Sequence, residues 1–148
     1  MIDRKHIGHS LRRVTRTVEA GQLRLFLNVI GEKERAFAAK DAGRALQVPP
    51  TYLFCLEMID DPDPLYWLAE LQVNLLHILH GQQRFDYHAP AFAGDVLTFE
   101  ASIEDIQAKK EGALQFIYKK TQVGNQAGAR VATLSSTVIY RDPAHKAK

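Results

Sequence analysis

Histidine is the side chain best suited to move protons near neutral pH, and this sequence holds six. Three of them gather at His77, His80 and His88, and the stretch from His80 onward reads His80-Gly81-Gln82-Gln83-Arg84-Phe85-Asp86-Tyr87. A histidine followed by an amide and a guanidinium could serve acid–base work on a bound molecule. The same residues could equally orient neighbouring loops by hydrogen bonds, as His80 and Gln83 are expected to do. Arg84 is expected in a structural ion pair with Asp86, Asp95 or a partner chain rather than on a phosphate. Tyr87 and His88 face opposite ways if both lie on a strand, so only one can point into a cleft. His77 and His80 stand three apart and would share a helix face, but the pattern changes from helix to strand between them. No acidic residue or cysteine stands at ligand spacing, so neither a metal nor a cofactor is expected.

Composition fits one globular domain over residues 1–148, with a frayed tail from about 142 to 148. Apolar residues make up 46% and charged residues 24% of the 148 positions, ordinary values for a folded domain. Cys55 is the single cysteine, so an intrachain disulfide is excluded. In its apolar surroundings it is expected as a buried, inert thiol. The apolar windows around residues 23–30 and 75–79 are too short to cross a bilayer. No signal-peptide core follows the first residues, so a cytoplasmic location is expected. A net charge of +2 is too mild to imply nucleic acid. Arg12, Arg13 and Arg16 are expected on a solvated strand face.

The first half of the chain reads as helices and the second as strands. A short strand is predicted at 11–18. A helix follows to Gly31, with Leu23, Phe26, Leu27 and Ile30 at i, i+3, i+4 and i+7 forming one buried stripe. Residues 32–46 read as a turn and short helix, with Asp41 solvated, ending at Pro49-Pro50. Thr51 can cap the next segment, 52–59, which is apolar almost all round and so expected to be buried on most sides. The breaker Asp60-Asp61-Pro62-Asp63-Pro64 precedes a short helix at 65–71. Strands are predicted at 80–87, 96–106, 114–123 and 130–140, the last three joined by turns at 109–112 and 124–128 into a meander. Helices first and sheet second make the class α+β.

The segment Leu79-His80-Gly81-Gln82-Gln83-Arg84-Phe85-Asp86-Tyr87-His88-Ala89-Pro90, followed by Ala93-Gly94-Asp95, resembles the "LHGEQRF-x-YH-x-P…AGD" stretch of MaoC-like and fatty-acid-synthase-type dehydratase N-terminal domains. Glu19-Ala20-Gly21 and Val48-Pro49-Pro50-Thr51-Tyr52 resemble other parts of that family in the same order, over roughly residues 6–142. The resemblance implies a hot-dog fold, a curved antiparallel sheet wrapped around a central helix. It implies partners too: sheets joined edge to edge in a homodimer, or in a heteromer with a catalytic MaoC-like subunit. The implied reaction is hydration of a 2-enoyl thioester, or dehydration of a 3-hydroxyacyl thioester, carried on coenzyme A or an acyl carrier protein.

Catalytic members of that family resemble the pattern G-D-x-N-P-x-H, which here reads Gly31-Glu32-Lys33-Glu34-Arg35-Ala36-Phe37. Glu32 stands in the aspartate's place and Phe37 in the histidine's. Phenylalanine moves no proton, so the resemblance is to the non-catalytic subunits of heteromeric dehydratases. The resemblance makes Tyr52, Phe54, Cys55, His80, Gly81, Gln83 and Arg84 the candidates for binding an acyl thioester, with Glu32 and His80 the weak catalytic candidates. Tyr66, Trp67 and Leu68 are expected in packing or at a tunnel mouth. Two further readings stay open: a hot dog that holds an acyl thioester without chemistry, and a thioesterase using Glu57.

Overall fold

In the computed structural model, which describes residues 1–33, 37 and 45–143, the period-2 segments become one five-stranded antiparallel sheet. The elements in chain order are β1 (Val14–Thr17), α1 (Ala20–Val29), α2 (Tyr52–Met58), α3 (Tyr66–Glu70), β2 (Ile78–Tyr87), β3 (Val96–Lys109), β4 (Leu114–Asn125) and β5 (Arg130–Arg141). Their order across the sheet is β1-β3-β4-β5-β2. The predicted meander is therefore the centre of the sheet, and β1 and β2 close its flanks. The helix predicted within 32–46 and most of the tail lie outside the described residues.

Every strand is antiparallel to its neighbour, and three irregularities bend the sheet. They fall between His80 and Gln82, between Ile103 and Asp105, and between Val123 and Gly124. Each extra residue kinks its strand and increases local twist. The result is the hot-dog arrangement, with the helices on the concave side. In α2, Tyr52, Leu53 and Leu56 are fully buried and the rest are half-buried. That burial explains why this short segment carries almost no polar residues.

Two apolar clusters cover the concave face. The first joins Leu23 and Leu27 of α1 and Tyr52, Leu53 and Leu56 of α2 to Leu97, Phe99, Val123 and Leu134. The second joins Trp67, Leu68 and Leu71 to Ile103, Ile106 and Ile117. Of the stripe expected in α1, Leu23 and Leu27 are buried and Phe26 packs from the rim, but Ile30 is 47% exposed because the helix ends at Val29.

Other local expectations need correction. The first strand is only four residues long because the register to β3 shifts before Val14, although the chain stays beside β3 through Leu11 N–H to Ala101 O at 2.8 Å and an isolated bridge between Ser10 and Ser102. Thr51 precedes α2 but makes no side-chain cap. The backbone N–H of Tyr52 donates to Pro49 O at 3.3 Å, and Thr51 takes φ 74°. Pro50-Thr51 are thus the centre of a type II turn, whose second central residue requires positive φ.

Candidate functional site

A trough of about 240 Å³ runs across the concave face between the two apolar clusters. That is larger than the ~150 Å³ engineered cavity that takes benzene, and just below the usual range for drug-sized ligands. Every strand contributes to it: Val14 from β1, Ala101 from β3, Lys119 from β4, Ser136 and Val138 from β5, and Ile78 and His80 from β2. Phe54, Glu57 and Met58 of α2 form one wall, and the Pro64–Leu68 segment forms the other.

His80 marks the β2 end. Its ring stacks on Phe54, with centroids 5.4 Å apart and planes inclined by 20°. Further along the β2–β5 ladder, Ser136 Oγ donates to Gln83 Oε1 at 2.5 Å. Ser136 is the register partner of both Gln83 and Lys119, so a polar row crosses β2, β5 and β4. On β4, Lys119 Nζ donates to Glu57 Oε1 at 2.6 Å, and Thr121 Oγ1 donates to the same oxygen at 3.3 Å. The Lys119 and Glu57 side chains are 13% and 12% exposed, so this pair sits mostly out of water.

The β1 end is closed by charge. Arg12 Nη2 donates to Asp61 Oδ2 at 2.6 Å, and Arg16 approaches the same oxygen at 3.7 Å. The Arg12 guanidinium also lies 4.5 Å over the Tyr66 ring, and the Arg12 backbone N–H donates to the Tyr66 hydroxyl. Asp61 accepts the Asp63 backbone N–H at 3.0 Å as well. That bond and the Arg12 guanidinium hold its carboxyl below the ordinary carboxylate value. The solvated face expected for these arginines holds for Arg12, whose side chain is half exposed, and fails for Arg16, which is 22% exposed where the Asp60–Pro64 breaker folds back beside it. Arg13, exposed beside Glu100 at 3.5 Å, also fits that expectation.

The structure brings two of the sequence-derived binding candidates, Phe54 and His80, to the trough, and places the others around it. Tyr52 is buried in the first cluster, edge-on to Phe26 at 5.1 Å. Cys55 packs on the same cluster, and burial raises its thiol pKa. Gly81 occupies the β2 irregularity, and Gln83 reaches the site through Ser136. Arg84 is engaged by Asp86 through three contacts of 2.7–3.0 Å, the ion pair anticipated for it, and this holds the Asp86 carboxyl below its ordinary value. Glu32 is exposed just beyond α1, outside the trough, and Phe37 packs against the first cluster.

His77 and His88 lie apart from the trough. His88 bonds Thr133 Oγ1 at 2.9 Å beyond the end of β2, and His77 sits in the short 3-10 turn before it. Neither Tyr87 nor His88 lines the trough. Among the described residues no group of three or more His, Cys, Asp or Glu could hold a metal ion, and no helix is long and apolar enough to cross a membrane. Lys119, Ser136 and Asp61 escaped sequence reasoning. Only Lys119 carried a signal, as a charge in phase with buried Ile117 and Thr121.

A family model described as FAS1-like, dehydratase domain region matches residues 5–134. A UPF0336 protein of Streptomyces coelicolor is 28% identical over 153 residues, covering 95% of each chain. Among solved structures, the HadBC (3R-hydroxyacyl-ACP dehydratase) complex of Mycobacterium tuberculosis superposes with a TM-score of 0.74 at 23% identity, covering 90% of this chain and 96% of that one. The ChsH1-ChsH2 complex of the same organism gives 0.72 at 15% identity, covering 93% and 87%.

Proposed function

The chain belongs to the FAS1-like dehydratase-region family of hot-dog proteins, and from that premise we propose that it is a supporting subunit of a hydratase or dehydratase acting on 2-enoyl or 3-hydroxyacyl thioesters of coenzyme A or acyl carrier protein. The trough takes the acyl chain and a partner supplies the aspartate and histidine that move the proton. The reading rests on an acyl-sized, mostly apolar trough, together with a sequence that puts Phe37, half-buried against the first cluster, where the family's pattern has its catalytic histidine. Water addition needs a group that takes a proton from water and one that protonates the α-carbon. A phenyl ring can do neither.

The β2 edge supports a hot-dog partner. β2 is ten residues long, pairs with β5 on one side, and has no strand on the other among the described residues. A long open edge invites strand addition. Leu75, Leu76 and Leu79 are exposed around its start, where an added sheet would cover them. Both structural neighbours named above are complexes of two different subunits.

The test is to mix this chain with a MaoC-like chain that keeps an intact Asp–x4–His pattern and to follow crotonyl-CoA hydration by absorbance. Turnover by the mixture, exceeding that of either chain alone, is the expected result. Turnover by this chain alone would remove the supporting role. A second reading, an acyl-thioester carrier without chemistry, rests on the same trough; it gains if no mixture turns over while acyl-CoA raises the melting temperature. Hydrolysis by Glu57 has less in its favour, because Lys119 and Thr121 already occupy the carboxylate oxygen Oε1.

A further inference from the structure

A plain fatty chain needs only an apolar channel, and an ion pair in its wall is a poor neighbour for methylenes. Yet the trough carries Glu57 and Lys119 at its middle. Lys119 lies on β4, the central strand, two strand spacings from β2 and two from β1. At about 4.8 Å per spacing, the Lys119 backbone stands roughly 10 Å across the sheet from β2, the strand that carries His80.

The pair has hydrogen-bonding capacity left over. The bonds from Lys119 and Thr121 to the carboxylate converge on Oε1, and among the described residues none reaches Oε2. Lys119 uses one donor on Glu57, and an ammonium has three. Ser136, facing Lys119 across the β4–β5 ladder, gives its proton to Gln83 and keeps its lone pairs. Donors and acceptors with spare capacity therefore stand together on the wall of a mostly apolar trough, between its His80 and Arg12–Asp61 ends. Such groups gain most when a ligand brings a matching polar atom, and an aliphatic occupant would desolvate them without replacement.

We propose that Glu57 and Lys119 form a polar subsite midway along the trough that receives a hydroxyl or carbonyl carried on the acyl chain far from the thioester. The preferred occupant is then an oxygenated acyl group rather than a saturated one of equal length. This rests on the thioester reading above, with the thioester at the His80 end.

Trp67 is the only tryptophan and lines the trough, so its fluorescence reports occupancy directly. Titrations with octanoyl-CoA and 8-hydroxyoctanoyl-CoA separate the cases. The full chain is expected to bind the hydroxylated probe at least tenfold more tightly. The double variant Glu57→Leu/Lys119→Met, which removes the pair without leaving one charge alone, is expected to bind both probes with a preference near unity or reversed. The milder Glu57→Gln serves as the second variant should the double one fail to fold, and is expected to reduce the preference severalfold. Equal binding of both probes by the unaltered chain overturns the subsite while leaving the thioester reading intact. Binding of neither overturns both.

Discussion

The His80 imidazole lies nearly parallel to the Phe54 ring, 5.4 Å away, joining the motif strand to the buried helix α2 across the trough. An edge strand is the part of a sheet most free to fray, and this contact, with the Ser136–Gln83 bond further along the strand, anchors it from the concave side. The stack is therefore structural as well as a boundary of the site.

A double-mutant cycle on that pair tests its structural part. Phe54→Leu, His80→Leu and the double variant, compared by urea unfolding, are expected to give a coupling energy of about 0.5–1.5 kcal/mol, the range for ring pairs. Additive effects would mean that the rings merely share a wall.

The Glu57–Lys119 pair makes a sharper stability prediction. Removing one member of a mostly buried pair leaves an uncompensated charge, so Lys119→Met alone should cost about 3 kcal/mol. The double variant Glu57→Leu/Lys119→Met should recover most of that loss. Chemical denaturation of the three proteins checks it, and a double variant less stable than the single one would contradict it.

Gly81 is tightly enclosed. A Cβ there would stand 2.8 Å from Ile139 Cδ1 and 3.2 Å from the Thr137 carbonyl oxygen. Gly81→Ala is expected to destabilise the fold by about 1–2 kcal/mol, the scale of overpacking. Ile139→Val in the same chain should return part of it by removing the nearest atom. Thermal melts of both variants measure the effect.

Asp61 sets an acid limit. Its carboxyl in the folded chain titrates below the ordinary 3.8, because it accepts the Asp63 N–H and the Arg12 guanidinium. A depressed folded pKa gives stability that is complete above the unfolded value and disappears as pH falls through the folded one. The loss belongs below about pH 4. Asp61→Asn is therefore expected to lower stability at pH 7 and to flatten the acid limb. Melting temperatures measured from pH 2 to 7 would show parallel curves if Asp61 had no such role.

Much of this structure is already written in local sequence pattern. Alternation in β3 set Leu97, Phe99, Ala101 and Ile103 inward, as period 2 demands. The near-absence of polar residues from 52 to 59 marked α2 as buried. In β4 the pattern was ambiguous, since apolar Leu114, Phe116 and Tyr118 alternate with Gln115, Ile117 and Lys119. The latter set faces the helices, Gln115 being buried because it accepts the Ile2 backbone N–H at 2.6 Å.

The sequence by itself determined the elements, the α+β class, the motif strand and the absence of a histidine at position 37. These depend on residue type and on periodicity over a few neighbours. Only the tertiary structure decided that His80 faces Phe54, that Lys119 meets Glu57 from 62 residues away, and that the Asp60–Pro64 breaker gathers Arg12 and Arg16. Those contacts follow from the strand order and the three ladder irregularities, which shift register and so choose which side chain of each strand enters the trough. A one-residue slip would turn each of them outward, and nothing within a single segment fixes that choice.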